Sequence, residues 1–218
     1  MFNLVSSFLD LIFPIFCLDC HREGSWLCHG CSEKLKQQIN SQQPHYYPEV
    51  VEDFDKFFVV SQYHQAVLPD ILHVFKYQYV IAAGQCLSDL AVDYLKTQGD
   101  LAIDVVVPVP LSKKRELLRG FNQATVIAQA ICHEFGLSLN SGSLIRKFNN
   151  RPQVGLNAEQ RWENVKNIFS VTDDTAFKDK KILLIDDVIT TGATLRQCAK
   201  ILKKSGAKEV WGLVLFKS

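Results

Sequence analysis

Apolar positions in this chain recur with two periods, and the changes between them mark out the elements. Leu4, Val5, Phe8, Leu9 and Ile12 fall three and four apart, with Asn3, Ser6, Ser7 and Asp10 off that stripe. This spacing predicts an amphipathic helix that docks on its own protein or on a partner. A second, short helix is expected near Ser32–Ile39. Residues 40–56 are polar, carry Pro44 and Pro48, and read as a linker. Beyond it, Phe57–Tyr63 reads as a strand, and Ala66–Phe75 and Ile81–Leu95 as helices. Asp104–Pro110 is a short, continuous apolar strand ending in prolines. Gly120–Phe135 presents Ala124, Ile127, Ala128, Ile131 and Phe135 on one helical face, with Gly136 as its cap. Lys181–Ile185 is a buried-type strand, Thr194–Lys204 a helix closed by Gly206, and Glu209–Phe216 a final strand.

Strands alternating with helices predict an α/β fold with a mostly parallel sheet covered on both faces. Such sheets bind ligands beyond the carboxyl ends of their strands. Two regions are expected: residues 1–56, with the first helix, a cysteine cluster and the linker, and residues 57–218, with the α/β domain. The apolar first helix bears on location. No Lys or Arg precedes Arg22, Asp10 and Pro14 interrupt the apolar run, and the run is short for a bilayer. A cytoplasmic protein without a transmembrane segment is expected.

Composition is ordinary for a globular protein, and a net charge of +1 nominates no partner. The distribution of charge says more. Residues 1–56 hold four Lys/Arg against eight Asp/Glu, a net of −4, whereas residues 113–161 hold eight against three, a net of +5. A basic middle points to an anionic ligand there.

Cys17, Cys20, Cys28 and Cys31 are spaced C-x2-C-x7-C-x2-C. Each pair places two thiolates on one turn, and two such turns complete a tetrahedral sulfur shell that suits Zn2+ in a structural role. Gly24 supplies a turn between the pairs, and His21 or His29 could replace one ligand. A redox dithiol is the alternative, which two neighbouring pairs make less attractive than one. Cys86, Cys132 and Cys198 stand in apolar helical contexts and read as buried small hydrophobes.

The strongest signal lies in KILLIDDVITTGATLRQCAKILKKSGA. An apolar strand ends in Asp186 and Asp187, then Thr190, Thr191, Gly192, Ala193 and Thr194 lead into a helix. Strand, glycine-bearing loop and helix N-terminus form an anion cradle from backbone N–H groups and threonine hydroxyls. No Walker lysine is present. Two acids beside such a cradle make sense if the ligand carries hydroxyls between them and its phosphate, as a ribose 5-phosphate does.

Asp186–Thr194 resembles the phosphoribosyl diphosphate (PRPP) motif of type I phosphoribosyltransferases. With Val106–Ala124 (VVPVPLSKKRELLRGFNQA), Arg146–Phe169, His73–Tyr77 and the two C-x2-C pairs, the chain resembles the ComF family over nearly its whole length. The resemblance implies a type I phosphoribosyltransferase-like sheet with a small zinc-ribbon-like head, and Mg2+ bound with PRPP. It implies a place in DNA uptake during natural transformation, with a DNA-translocating ATPase as partner. Asp186 and Asp187 would meet the ribose hydroxyls, and Thr190, Thr191, Gly192, Ala193 and Thr194 the 5-phosphate. One departure stands out: Asn149, Asn150 and Arg151 precede Pro152-Gln153 where such proteins tend to carry a threonine.

The resemblance would turn the basic middle towards the diphosphate. Lys113, Lys114, Arg115 and Arg119 are expected on a strand-end loop that clamps it, with Arg119 and Asn122 the foremost candidates. Arg146, Arg151, Gln153 and Arg161 fall on a stretch read as a lid, and Lys76 follows an apolar helix within reach. Cations interleaved with Phe121 or Phe148 also suit single-stranded DNA. An active phosphoribosyltransferase of nucleotide metabolism is the alternative function, its acceptor unidentified.

Overall fold

The computed structural model describes residues 14–41, 52–62, 67–78, 80–147 and 168–217. The amphipathic stripe before Phe13, the linker between residues 42 and 51, and Arg151, Gln153 and Arg161 lie outside the described residues. The elements run α1 (His29–Asn40), β1 (Lys56–Gln62), α2 (Leu68–Tyr77), α3 (Ile81–Lys96), β2 (Val105–Pro108), α4 (Lys113–Arg119), α5 (Gln123–Phe135), β3 (Ser138–Leu139), β4 (Leu144–Arg146), β5 (Phe169–Val171), β6 (Lys181–Ile189), α6 (Ala193–Lys204) and β7 (Glu209–Lys217).

Five strands form one parallel sheet in the order β1-β7-β6-β2-β3, and β4 pairs with β5 as a separate antiparallel hairpin. Parallel strands buried on both faces need apolar residues in succession, and β6 and β7 supply them. Leu183, Ile185, Trp211, Leu213 and Leu215 enter a core shared with α2, α3 and α5. Ile182, Leu184, Val210 and Val214 enter a second core on the other face with Leu195, Cys198 and Leu202 of α6. The period of two along each strand thus divides one apolar run between two cores. Gly212 interrupts β7 because a Cβ there would come within 2.5 Å of the Phe57 ring.

The cysteine head is docked on the sheet-bearing part. Cys17, Leu27, Leu35 and Ile39 belong to the same core as Leu87 and Leu90 of α3. Lys36 of α1 bridges Glu33 at 2.9 Å and Asp93 of α3 at 2.7 Å. Among the described residues no helix is long and apolar enough to cross a membrane.

Three expectations need correction. Lys113–Arg119, read as a strand-end loop, is a helix: Ser112 Oγ accepts from Arg115 N at its start, and Gly120, at φ 75°, ends it. Its strong helix formers and both caps decide the matter although none of its residues is buried. The following helix therefore begins at Gln123, not Gly120, with Asn122 Oδ1 accepting from Ala124 N. Likewise β6 does not stop at Ile185. It continues through both acids to Ile189 because β7 pairs with it as far as Lys217.

Candidate functional site

The site follows from where β2 stops. Its ladder with β6 ends at Pro108 opposite Ile185, and Val109 N adds a last bond to Ile185 O at 2.8 Å. Pro110 cannot donate to a ladder, so the chain turns away. Beyond Ile185, β6 keeps β7 on one side and opens on the other. The chain leaves β2 towards β3 and leaves β6 towards β7, so the opening is the switch point at which open parallel sheets take ligands. A cavity of about 570 Å³ lies there, lined by Val109–Leu111, the ends of α2 and α4, the start of α5, Arg146, and Asp186, Asp187, Val188, Thr190 and Thr194.

Adjacent residues of a strand face opposite ways, which separates the two acids although both line the cavity. Asp187 shares the parity of Ile185 and meets α2, where Lys76 Nζ lies 2.9 Å from its Oδ2 with both side chains largely buried. Asp186 shares the parity of Leu184, and its Oδ1 accepts from Asp187 N at 2.9 Å. Burial, and then the charge of Asp187, raise the Asp186 pKa to about 8, while Lys76 and Arg146 pull the other way. Asp186 is therefore harder to ionise than a free carboxyl group.

Beyond the acids, Ile189–Leu195 and Asp186 enclose a small cavity of about 60 Å³. Gly192, at φ 73°, turns the chain into α6; this left-handed backbone is natural to glycine. The first amides of α6 have no carbonyl within the helix to bond. Lys217 Nζ holds the loop from outside through Thr190 O at 2.8 Å.

The expected cations divide. Lys76, Arg115, Arg119 and Arg146 line the cavity, whereas Lys113 and Lys114 do not. Arg115 and Arg119, four apart, share one face of α4; the lysines precede that face and are exposed. Four cations against two carboxylates leave the cavity net positive by two when both acids ionise. Burial, and then the charge of Arg115, depress the Arg146 pKa, as expected of guanidiniums gathered without an anion. Arg119 also stands 5.4 Å over the Tyr77 ring. Asn122 lines the cavity, but its amide serves the fold: Nδ2 donates to Val109 O at 2.9 Å and Oδ1 caps α5. Gln123, which the sequence reading passed over, is 2% exposed and also lines the cavity.

In the head, Cys17 N donates to Arg22 O and Phe16 pairs with Glu23, closing a small hairpin. The four Sγ atoms lie within 4.8 Å of one another, and those of Cys20 and Cys28 are 3.6 Å apart. A tetrahedral Zn–S shell of about 2.3 Å bonds places its sulfurs about 3.8 Å apart, so the set fits a metal ion without His21 or His29. Burial opposes ionisation of Cys17, yet N–H groups of Cys20, Cys28 and Asp19 bring its pKa down to about 6. Asp19, followed by burial and the neighbouring thiols, pushes Cys31 upward. Four sulfurs this close cannot all ionise without a cation among them. Cys86, Cys132 and Cys198 instead pack against the apolar cores.

The model of the phosphoribosyl transferase domain matches residues 122–217. Competence protein F of Haemophilus influenzae is 31% identical over 208 residues, covering 92% of this chain and 84% of that protein. DNA utilization protein YhgH of Escherichia coli K12 is 28% identical, covering 73% of this chain and 72% of its own length. Competence protein ComFC of Bacillus subtilis is 33% identical over 60% of this chain and 51% of its own length.

Proposed function

This chain belongs to the ComF family of competence proteins with a phosphoribosyltransferase-type fold, and from that premise we propose that it binds PRPP and serves DNA uptake in the cytoplasm. The observation that carries the reading is the convergence of Lys76, Arg115, Arg119 and Arg146 on one cavity with the acid pair and the threonine loop. Thr190–Thr194 take the 5-phosphate, Asp186 and Asp187 the ribose hydroxyls, and the cations the diphosphate. Arg151, Gln153 and Arg161 keep their place as diphosphate or DNA contacts in this reading. Magnesium bound with PRPP would lower the charge of the diphosphate.

The cysteine set holds zinc in a structural role and forms, with residues 1–56, a head for a partner, a DNA-translocating ATPase. Residues 57–218 are the ligand-binding domain. Single-stranded DNA runs along the side of α4 away from the cavity, where Lys113, Lys114 and Leu117 face solvent. Salt-dependent gel-shift affinity for single-stranded DNA should fall in K113A/K114A; an unchanged affinity would remove DNA from this face.

Turnover is a second reading, favoured by the apolar wall of Tyr77, Leu111 and Leu118 at which an acceptor can stand. The bond from the anomeric carbon to the diphosphate would break as one to the acceptor forms, with positioned charge stabilising the leaving group. Single-turnover diphosphate release with candidate acceptors tests it. Tight PRPP binding without release from any acceptor would leave a binding protein.

A further inference from the structure

Gln123 is the polar side chain that the cavity wall leaves unfinished. It opens α5, is 2% exposed, and accepts from Arg119 Nη1 through Oε1 at 2.9 Å. A guanidinium only donates, so this contact fixes the amide: the oxygen faces Arg119 and the nitrogen turns away from it. Nε2 is buried and has no hydrogen-bond partner among the described residues. Trp26 Nε1 is also buried without a partner, but it sits in the cysteine head and does not line the cavity. Leaving a buried donor unpaired is unfavourable, and a ligand that supplies the acceptor recovers the loss.

The surroundings say what acceptor fits. Arg119 is held from two sides, by Gln123 Oε1 and by the Tyr77 ring. The neighbouring Asn122 spends one Nδ2 N–H on Val109 O and its Oδ1 on the start of α5, so among the described residues that line this corner Gln123 is the neutral amide whose nitrogen has no partner at all. Arg115 and Arg146 line the same cavity. An oxygen that meets an uncharged N–H among three guanidiniums is one that carries negative charge. The 5-phosphate loop belongs to a different element, beyond the two acids.

We propose that Gln123 is a specificity-determining residue whose Nε2 donates to a diphosphate oxygen, so that Gln123 and Arg119 together distinguish a ribosyl diphosphate from a ribose monophosphate. This rests on the PRPP reading above.

The test is calorimetric titration of the full chain with PRPP and magnesium, and separately with ribose 5-phosphate. Q123M should lose about tenfold or more in PRPP affinity and keep its affinity for ribose 5-phosphate. In an R119M background, Q123M should lower PRPP affinity further. Equal losses for both ligands, or no further loss in that background, would overturn the proposal: Gln123 would then only support the wall or hold Arg119. Should Q123M fail to melt cooperatively, Q123E retains the oxygen for Arg119 and lacks the donor. Parental PRPP affinity in Q123E would overturn the proposal equally. A parent chain that binds no PRPP sinks the underlying reading, whereas a parent that binds beside an unaffected Q123M sinks the present one alone.

Discussion

Gly84 offers a test in which local propensity and packing disagree in sign. It lies in α3, where exchange to alanine at an exposed position would stabilise the helix by about 1 kcal/mol. Here a Cβ would stand 2.3 Å from Cε2, 2.6 Å from Cζ and 2.8 Å from Cδ2 of Phe75. The ring has little room to retreat, because Phe75 is fully buried and stacks on Phe121 at a centroid distance of 5.2 Å. Overpacking costs about 1–3 kcal/mol, and a contact of 2.3 Å against a ring without room to retreat belongs in the upper part of that range, about 2–3 kcal/mol. Set against the propensity gain, G84A should destabilise by about 1–2 kcal/mol, a fall of roughly 2–8 °C in melting temperature for a chain of this size. Thermal melting followed by circular dichroism measures it. F75L removes the two closest ring atoms, so G84A/F75L should lose less stability than the two single losses together. A G84A chain that melts at or above the parent temperature, or strictly additive losses, would refute the wedged-ring account. It would also undermine the placement of Lys76, the next residue along α2.

The head and the acid pair give two more predictions. The purified chain should carry one metal ion by elemental mass spectrometry, and C17S should lower both metal content and melting temperature, because Cys17 is part of the core shared with α3; an unchanged melt would mean that the head is independent of that core. For Asp186, burial and the Asp187 charge hold the folded pKa near about 8, above its unfolded value, so the parent loses stability as pH rises from the usual carboxylate range towards 8. D186N lacks that loss, and its melting temperature relative to the parent should rise between about pH 5 and about pH 8. A constant difference would contradict a raised Asp186 pKa in the folded chain.

The architecture was legible because its signals are local. Continuous apolar runs at Val105–Val107 and Ile182–Ile185 need cover on both faces, and apolar residues three and four apart in Leu68–Phe75 supply some of it. The cysteine spacing and the Asp186–Thr194 string were legible for the same reason. What escaped depends on partners distant in sequence. That β6 continues through two acids is set by pairing with β7, not by its own composition. Helix α4 buries nothing, so no apolar stripe announced it; Ser112, Gly120 and strong helix formers were the available signal. The hairpin of β4 and β5 has three residues in each strand, too few for an alternation to register. Which cations reach the cavity depended on the helical phase of α4, which a loop reading discards. Gln123 gave no signal, because its burial and missing partner exist only once β2, α4 and α5 have met.

The central claim is that this cavity takes PRPP, and calorimetric titration of the full chain with PRPP and magnesium tests it most directly. The account predicts saturation at one ligand per chain, with binding abolished in D186A/D187A while that variant still melts cooperatively. A folded parent that gives no heat of binding and no PRPP-dependent rise in melting temperature would contradict it, as would undiminished binding by the double variant.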